Sequence, residues 1–420
     1  MDIFDTRYFR LNRLLLSFMG LWPYEYMKAS RNIFICCSTL GLLVILLPQV
    51  AFLLHRMTNL SDFYDVLPTF LGIWITILKT SGLHWQGKKF RMLLEHVQHD
   101  WYLLANHRDI SILMDYSEKS RIFTLAFLSI PNNCTPSPFH LIKNYIRDNF
   151  FFLTVFLCTS VTIFVMTPLI IPLLDIILAS NATKPKRLPH PTEFYVDMER
   201  YFYILSAITI AGYIVCAVTI VATDTIYFAL LQHACGTLTI LSKRLETLVV
   251  QNKSEGIDCN SAYKEEEDIK NMIQCIQLQV RTERLIHSIE STFEICLFAD
   301  IGVGIVLQCS ACVMIITRTN LVKNVPLLLL QSTRFFYSSW LGQRIIDHSS
   351  QISIAAYNGL WYQTSLKTKK LFLFLIMKCQ KPFRITMAKL YVLCLESYSM
   401  LMKTSASFIT VMLSLNSDNN

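Results

Sequence analysis

Long apolar runs are the feature of this sequence that most restricts the folds open to it. A helix needs roughly 20 apolar residues to cross the hydrocarbon core of a bilayer. Charged residues make up only 16% of the 420 residues and hydrophobic ones 53%, too little charge to cover a soluble protein of this size. We therefore predict an all-α polytopic membrane protein with seven transmembrane helices, at 33–54, 63–83, 150–178, 202–231, 295–317, 325–341 and 385–413.

The basic residues indicate which side of the membrane each connecting segment occupies. Most of the 38 Lys and Arg residues fall in segments 1–32, 84–149, 242–294 and 342–384, which alternate with segments poor in basic residues. Because Lys and Arg are retained on the cytosolic side, we predict a cytosolic N-terminus and an extracellular C-terminus. That orientation is the reverse of a G-protein-coupled receptor.

These spans divide the chain into four parts. Residues 1–32 form a cytosolic N-terminal segment, and residues 33–341 contain the first six helices. We expect residues 342–384 to form a cytosolic helix of an anchor domain, and residues 385–420 to form the seventh helix with a short extracellular tail. An amphipathic repeat at 269–280 indicates a helix that continues below the membrane into the fifth span.

The residues themselves disfavour other functional classes. The net charge of +8 does not indicate a nucleic-acid-binding protein, because the basic residues lie between apolar runs. A string at 82–89 resembles a phosphate-binding loop but lacks the Ser or Thr that would bind magnesium. The 13 cysteines follow no framework spacing and are interpreted as buried reduced thiols. We find no catalytic constellation, and we expect no cofactor, no metal and no enzyme activity.

The last apolar run differs from the others because it carries a polar stripe. At about 100° per residue, seven polar side chains fall within an arc of about 80°: Lys389, Glu396, Ser399, Lys403, Ser407, Thr410 and Ser414. The stripe is either a seam satisfied by neighbouring helices or one wall of an aqueous pore. Asp224, Asp300 and Arg334 are further charges within predicted spans, and the sequence does not assign their partners.

The C-terminal third carries several distinctive strings. They are GQRIIDH at 342–348, AAYNGLWY at 355–362, KLFLFLIM at 370–377, QKP at 380–382 and TMAK at 386–389. Upstream, ATDT at 222–225 and QHACG at 232–236 belong to the same pattern. Together these strings resemble the insect odorant receptor family, most of all its expansions in ants, bees and wasps. The motif residues to which we assign structural roles are Tyr357, Trp361, Gln380, Lys381, Pro382 and Lys389.

The resemblance implies a function and an assembly. Members of that family are seven-span subunits of a non-selective cation channel opened by an odorant, with a shared co-receptor in a tetramer. The co-receptor has a long insertion between the fourth and fifth spans, which this chain lacks, so the chain resembles an odorant-tuning subunit. The partners implied are the co-receptor, a small apolar odorant and the lipid bilayer, but no nucleic acid. The location implied is the plasma membrane of olfactory sensory neurons.

The resemblance also implies where the functional sites lie. In the family the last span lines the pore, and Val411 and Leu415 align with the two apolar positions of its outer gate, beside Ser414. The same pore face carries Lys403, Ser407 and Thr410. Odorants enter a pocket among the second, third, fourth and sixth spans. Depth and residue type select Phe70, Trp74, Phe164, Tyr203, Phe335 and Tyr337 as candidates, with core packing as the alternative for each.

Some alternatives remain open from the sequence. Residues 129–151 interrupt the family pattern before the third span, and they are either a genuine cytosolic loop or a gene-model artefact. A gustatory-type receptor of the same superfamily is an alternative function, although the aromatic-Gln-Phe ending expected there is absent. A G-protein-coupled receptor or a transporter is a further alternative. The charge pattern opposes the first, and the lack of evident repeat symmetry opposes the second.

Four N-x-S/T sequons allow the orientation to be tested. We predict that Asn59 and Asn181 face outside and are candidates for glycosylation, whereas Asn133 and Asn252 face the cytosol. Glycosidase digestion of single-sequon variants should shift the gel mobility of the first pair only. Glycosidase-sensitive modification of Asn252, with none at Asn181, would reverse the orientation.

Overall fold

The computed structural model describes residues 3–24, 41–57, 60–104, 109–127, 191–248, 261–317, 321–387 and 389–417. The predicted third span, the candidate ligand residue Phe164 and the 129–151 segment lie outside these ranges. The asparagines of the four sequons, Asn59, Asn133, Asn181 and Asn252, lie outside them too.

Helices make up almost all of the described elements. They are α1 (Arg10–Phe18), α2 (Leu47–His55), α3 (Leu60–Trp85), α4 (Gly87–Leu104), α5 (Ile110–Phe127), α6 (Met198–Thr247), α7 (Ser261–Ile316), α8 (Leu321–Asn358), α9 (Leu366–Cys379) and α10 (Leu395–Ser417). A π-helical turn, Gly41–Leu46, precedes α2, and 3₁₀ turns cover Ile3–Asp5 and Trp361–Gln363. Two short strands, β1 (Thr386–Met387) and β2 (Tyr391–Val392), pair antiparallel.

Three helices in the described ranges are long and apolar enough to cross a membrane. These stretches are Asp62–Trp85, Arg200–Thr247 and Glu265–Ile316, and they contain the predicted second, fourth and fifth spans. The predicted sixth and seventh spans lie in α8 and α10. Those two helices carry more polar residues, such as Arg334 and Lys403, and are not among the three.

The longest helices extend well beyond a bilayer. At 1.5 Å per residue, the 50 residues of α6 and the 56 residues of α7 measure about 75 and 84 Å, against about 30 Å of hydrocarbon. The predicted amphipathic repeat at 269–280 forms part of α7, and its Met272 is fully buried. The predicted helix at 269–280 is therefore found as a continuous extension of the helix that contains the predicted fifth span.

The main hydrophobic core lies at the end of the bundle where α4 to α9 meet. Phe90 of α4, Leu241 of α6, Leu285 of α7 and Ile345 of α8 are all fully buried there. The N-terminal segment packs into the same core and includes Phe4, whose ring lies 5.3 Å from that of Trp22. A smaller cluster of Ile45, Leu46, Ile73 and Tyr213 joins the π-helical turn to α3 and α6.

The predicted seventh helix at 385–413 begins ten residues later than expected, at Leu395. Residues before it form the β1–β2 hairpin, in which Thr386 pairs with Val392 and Met387 with Tyr391. Lys389 lies in the turn with φ 59°, so its predicted place on the polar stripe of the helix is wrong. The cause is tertiary: the Thr386 amide donates to the Glu290 carboxylate of α7 at 2.9 Å, and the Thr386 hydroxyl donates to the same carboxylate.

The predicted single cytosolic helix at 342–384 is divided into several elements. Its first part continues the sixth-span helix α8 without a break as far as Asn358. A 3₁₀ turn follows, and Ser365 then caps α9 by accepting a hydrogen bond from the Thr368 amide at 3.4 Å. Residues 342–358 are thus helical, but they belong to α8 rather than to a separate helix.

Gly342 is the point at which α8 passes closest to the hairpin. A Cβ atom at this position would overlap the carbonyl oxygen of Leu393 and lie 2.6 Å from the Leu393 Cβ. Leu393 is fully buried, and its amide donates to the Ile385 carbonyl at 2.9 Å. The absence of a side chain at Gly342 therefore allows the segment that leads into α10 to seat against α8.

We predict that Gly342→Ala destabilises the protein by about 1–3 kcal/mol, the usual cost of overpacking a tight contact. The matched control is Gly302→Ala on α7, where an added Cβ would have no heavy atom within 4 Å. The melting temperature of each detergent-solubilised variant, followed by fluorescence-detected size exclusion, should fall for Gly342→Ala only. Equal melting temperatures for the two variants would show that the close approach has no structural role.

Candidate functional site: the last helix and a buried cluster of four charges

The polar stripe predicted on the last run forms one continuous exposed face of α10. Glu396, Ser399, Lys403, Ser407, Thr410 and Ser414 are all exposed in the single chain. Val411, at the edge of the stripe, is 56% exposed. Leu415 lies in the last turns of the same helix, and its side chain is outside the described set.

The opposite face of α10 packs against the rest of the chain. The Tyr398 ring lies 5.5 Å from that of Phe336 on α8, and Met402 Sδ lies 3.8 Å from Gln308 Nε2 on α7. Leu401, Ser405 and Ile409, on the same side of the helix, are half-buried. The packed face and the polar stripe are centred about 180° apart at 3.6 residues per turn. The stripe is thus not a seam against the described helices of this chain.

Two hydroxyl groups of the stripe donate hydrogen bonds to the backbone of α10 itself. Thr410 donates to the Ala406 carbonyl at 3.0 Å, and Ser414 donates to the Val411 carbonyl at 2.8 Å. This arrangement lets small polar residues line a helix surface without a partner helix. Their oxygen lone pairs remain available to water along that surface.

Four charged side chains from four helices meet inside the bundle. Lys79 of α3 contacts the carboxylates of Asp224 on α6 and of Asp300 on α7, the latter at 2.8 Å. Arg334 of α8 lies 2.5 Å from Asp300 and 3.7 Å from Asp224. Two cations therefore face two carboxylates, and every member contacts both groups of opposite sign.

The balance of charge explains how these groups can be accommodated. Lys79 is fully buried, and the other three side chains are between 17% and 23% exposed. Moving one charge into a low-dielectric interior costs several kcal/mol, and only a well-placed counter-charge offsets that cost. With two positive and two negative charges in contact, the cluster is neutral as a unit.

Lys79 was missed by the sequence analysis, although it lies within the predicted second span. Asp224, Asp300 and Arg334 were identified as charges within spans, but no partners were assigned to them. The signal that would have found Lys79 is simple: two acids and one base within the spans leave one negative charge without a counter-charge. Among the first six predicted spans, Lys79 is the one cation besides Arg334.

The aromatic ligand candidates are distributed over several parts of the bundle. Phe70 and Trp74 are neighbours on α3, with ring centroids 6.4 Å apart, and Phe70 packs on the small apolar cluster. Tyr203 is 63% exposed near the start of α6. Phe335 is buried against α7, where its ring would clash with a Cβ at Gly304. The structure therefore brings Phe70 and Trp74 together and places Tyr203 and Phe335 elsewhere.

Tyr337 belongs to an aromatic stack between α5, α6 and α8. Its ring is parallel to that of Phe123, with centroids 5.0 Å apart, and it lies 5.9 Å from the ring of Phe228. Core packing is the alternative to ligand contact that the sequence analysis gives for Tyr337, and these ring contacts are of that kind.

The family-motif residues lie at the end of the bundle that contains the main core. Trp361 packs against that core, and Pro382 follows the end of α9. Tyr357, Gln380, Lys381 and Lys389 are exposed.

Polar contacts hold this end of the bundle together. Tyr116 of α5 hydrogen bonds to Thr239 of α6 at 2.9 Å and lies 3.4 Å from His348 Nε2 of α8. Burial, together with the neighbouring Arg344 guanidinium, lowers the pKa of His348 to about 4, so this imidazole is neutral near pH 7. A neutral imidazole nitrogen can accept the Tyr116 hydroxyl hydrogen bond.

Comparison with known proteins identifies the family of this fold. The family model described as 7tm Odorant receptor matches residues 137–406, more than half of the chain. The chain belongs to the insect odorant receptor family. It is 21% identical to Odorant receptor 13a of Drosophila melanogaster over 438 aligned positions, covering 98% of this chain and 91% of that protein. It is 30% identical to Odorant receptor 10 of Aedes albopictus over 80 residues, which is 21% of that receptor's length.

Solved structures show the same fold. The olfactory receptor OR5 of Machilis hrabei matches with a TM-score of 0.73 at 12% identity, over 97% of each chain. The same receptor in complex with eugenol matches with a TM-score of 0.72 at 11% identity, again over 97% of each chain. This chain is therefore a membrane protein of a receptor family rather than of an enzyme family. The comparisons favour this family over the gustatory-type, G-protein-coupled and transporter alternatives.

We predict that Asp300→Asn destabilises the receptor by about 3–5 kcal/mol, because it leaves two buried cations with a single carboxylate. Adding Lys79→Met to Asp300→Asn should recover much of the loss, since one Arg334–Asp224 pair then remains. The matched control is Asp347→Asn, at an exposed position on α8. Surface biotinylation and melting temperature measure the effect. A double variant no better than Asp300→Asn alone would show that charge balance is not what stabilises the cluster.

Proposed function

We propose that this receptor is the odorant-binding subunit of a heteromeric ligand-gated non-selective cation channel. In this proposal the chain has seven spans and a cytosolic N-terminus, and it works with a shared co-receptor in the plasma membrane of olfactory neurons. The observation that carries the proposal is the exposed polar stripe of α10, whose opposite face is packed against α7 and α8. A small odorant and the lipid bilayer are its other partners.

The composition of the stripe supports a water-filled lumen. Facing lipid, Lys403 and Glu396 would each cost a few kcal/mol. Facing a lumen shared by several subunits, the same side chains stay hydrated. The 23 residues of α10 span about 35 Å at 1.5 Å per residue, enough to cross the hydrocarbon core.

The charge cluster supports the proposal that successive spans cross the membrane in alternating directions. Measured along each predicted span from its expected cytosolic end, Lys79, Asp224, Asp300 and Arg334 lie about 6, 10, 8 and 10 Å deep. The boundaries of each span were predicted from its own hydropathy alone. The four charges nevertheless fall at similar depths, as their contacts require. The same agreement would fail if the second, fourth or fifth span ran in the opposite direction.

The proposed ligand site lies in the outer part of the bundle, among α3, α6, α8 and the third span. The eugenol complex of the Machilis hrabei receptor supports a small apolar ligand for this fold. The candidates are Phe70, Trp74, Phe164, Tyr203, Phe335 and Tyr337, of which the last two lie only about 9 and 6 Å from the expected cytosolic end of the sixth span. The charge cluster joins α3, α6 and α8 to α7, which packs against α10. Displacement of the outer helices by a ligand therefore has a direct mechanical connection to the proposed pore helix.

The proposed gate consists of Val411 and Leu415, with Ser414 beside them. A ring of apolar side chains closes a pore by dewetting, and rotation of the helix replaces them with polar groups. Val411 and Leu415 are offset from the centre of the stripe by about 60–100°. A modest rotation of α10 thus exchanges an apolar lining for the hydroxyls of Ser407, Thr410 and Ser414.

We predict that Val411→Ser and Leu415→Ser each raise the ligand-independent current of the receptor expressed with its co-receptor, because a polar ring no longer dewets the pore. Ala406→Ser, also exposed on α10, is the control and should leave the current unchanged. Whole-cell recording measures the current, and surface labelling corrects for expression. If Val411→Cys, Ser414→Cys and Leu415→Cys were inert to water-soluble thiol reagents in the open channel, the pore assignment would be wrong.

An exposed apolar face of α9 supports assembly with other subunits. The side chains of Leu366, Leu373, Phe374 and Met377 are each more than half exposed and fall on one side of the helix. The opposite side, which includes Phe372 and Leu375, is buried in the main core. Under the proposed topology this face lies in the cytosol, where exposed apolar patches mark protein–protein contacts.

We predict that the double substitution Leu373→Ser and Phe374→Ser lowers co-purification of the co-receptor at least about tenfold. Each buried apolar side chain contributes about 1.5–3 kcal/mol, and 1.4 kcal/mol corresponds to a tenfold change in affinity. Leu14→Ser on α1, at a position 61% exposed, is the matched control. Undiminished co-purification would indicate that lipid, rather than a subunit, covers this face.

A further inference from the structure

A groove of about 470 Å³ separates α7 from the segment that follows α9. Glu283, Arg284, His287 and Glu290 line it from α7, and Phe383 and Arg384 line it from the other side. It is open to solvent along one side. The groove lies next to the β1–β2 hairpin, because Arg384 is two residues before Thr386 of β1. The Thr386 amide donates a hydrogen bond to Glu290, which also lines the groove.

The two acidic residues of the groove are already engaged by other groups. Glu290 accepts the Thr386 amide at 2.9 Å and lies 3.5 Å from His287 Nδ1. Glu283 lies 3.2 Å from Lys378 Nζ and accepts a hydrogen bond from Gln279 Nε2 at 3.4 Å. Both carboxylates therefore contact donors other than the arginines of the groove.

The two arginines are left as the cationic groups of the groove. Arg284 and Arg384 are both exposed, and neither forms an ion pair with any residue in the described ranges. They stand on opposite walls, one on a helix and one on a connecting segment. A guanidinium offers a planar set of N–H donors that matches the oxygens of a phosphate group. Two such groups facing one cavity suit an anion with more than one phosphate.

The position of the groove places it close to the inner surface of the membrane. Glu290 is five residues before the predicted start of the fifth span and Arg284 is eleven, or about 8 and 16 Å along the helix. The arginines therefore lie just below the region where lipid headgroups reach. The location on the cytosolic side rests on the proposed topology, whereas the binding test below does not depend on channel activity.

We propose that this groove binds a polyphosphate anion, with Arg284 and Arg384 as its ligands. The shared chemistry is that of a phosphorylated inositol ring, either as a lipid headgroup or free in solution. A ligand held by both arginines ties the segment at the root of α10 to α7, beside the existing Glu290–Thr386 contact. Binding of this ligand in the groove would then stabilise the position of the start of the proposed pore helix against α7.

The test measures binding to the purified full-length receptor. One arm uses fluorescent inositol trisphosphate and the receptor in detergent, with polarisation as the readout. The other arm uses phosphatidylcholine nanodiscs with and without phosphatidylinositol bisphosphate, and native mass spectrometry to count bound lipid. We expect Arg284→Gln and Arg384→Gln each to weaken binding about tenfold, as loss of a charge-assisted contact does. Arg10→Gln, at an exposed position on α1, is the matched control and should bind as the unaltered receptor does.

The outcomes separate the sources and decide the proposal. Binding in both arms supports a soluble ligand, and binding in nanodiscs alone supports a lipid headgroup. Arg284→Lys and Arg384→Lys keep the charge and should retain part of the affinity, provided that size exclusion shows all variants to be folded. Absence of binding in both arms, or equal loss of affinity in Arg10→Gln and the groove variants, would overturn the proposal.

Discussion

The contact of Lys79 and Arg334 with Asp224 and Asp300 is the constraint on which the arrangement of α3, α6, α7 and α8 depends. A charge without a counter-charge inside the bundle costs several kcal/mol, so the four helices that carry these residues must meet at one level. Lys79 and Arg334 are 255 positions apart in the chain. No apolar contact fixes the position of one helix along another as strictly as these charge contacts do. Apolar side chains elsewhere in these helices can slide by a turn and still find apolar neighbours.

The same helices position the proposed pore helix. Glu290 of α7 accepts a hydrogen bond from the Thr386 amide. Leu393 packs against α8 at Gly342, where a side chain would clash with it. These two contacts flank the hairpin that leads into α10, so the orientation of its polar stripe follows from α7 and α8. In the proposed mechanism, a ligand among α3, α6 and α8 acts on helices that the charge cluster joins to α7. The groove with Arg284 and Arg384 lies at the other end of this connection, on the side that the proposed topology places in the cytosol.

Much of the fold is predictable from local patterns. The apolar runs locate α3, α6 and α7, because burial in lipid or protein requires a continuous apolar surface of known length. The repeat at 269–280 predicts the extension of α7, and the polar stripe predicts the exposed face of α10. Apolar content cannot distinguish a short buried hairpin from the start of a helix. For that reason the residues before Leu395 were assigned to the wrong element, and with them Lys389.

The sequence by itself determined which segments are apolar, which face of the last helix is polar and, through its motifs, the family. These are local properties, encoded by residues within a few turns of one another. Only the tertiary structure decided that Lys79 completes a neutral cluster with Asp224, Asp300 and Arg334. It alone also showed that Glu290 captures Thr386 and that two arginines share a groove. Each of these pairings joins residues distant in the chain, and their energy depends on distances that exist only after the helices have packed.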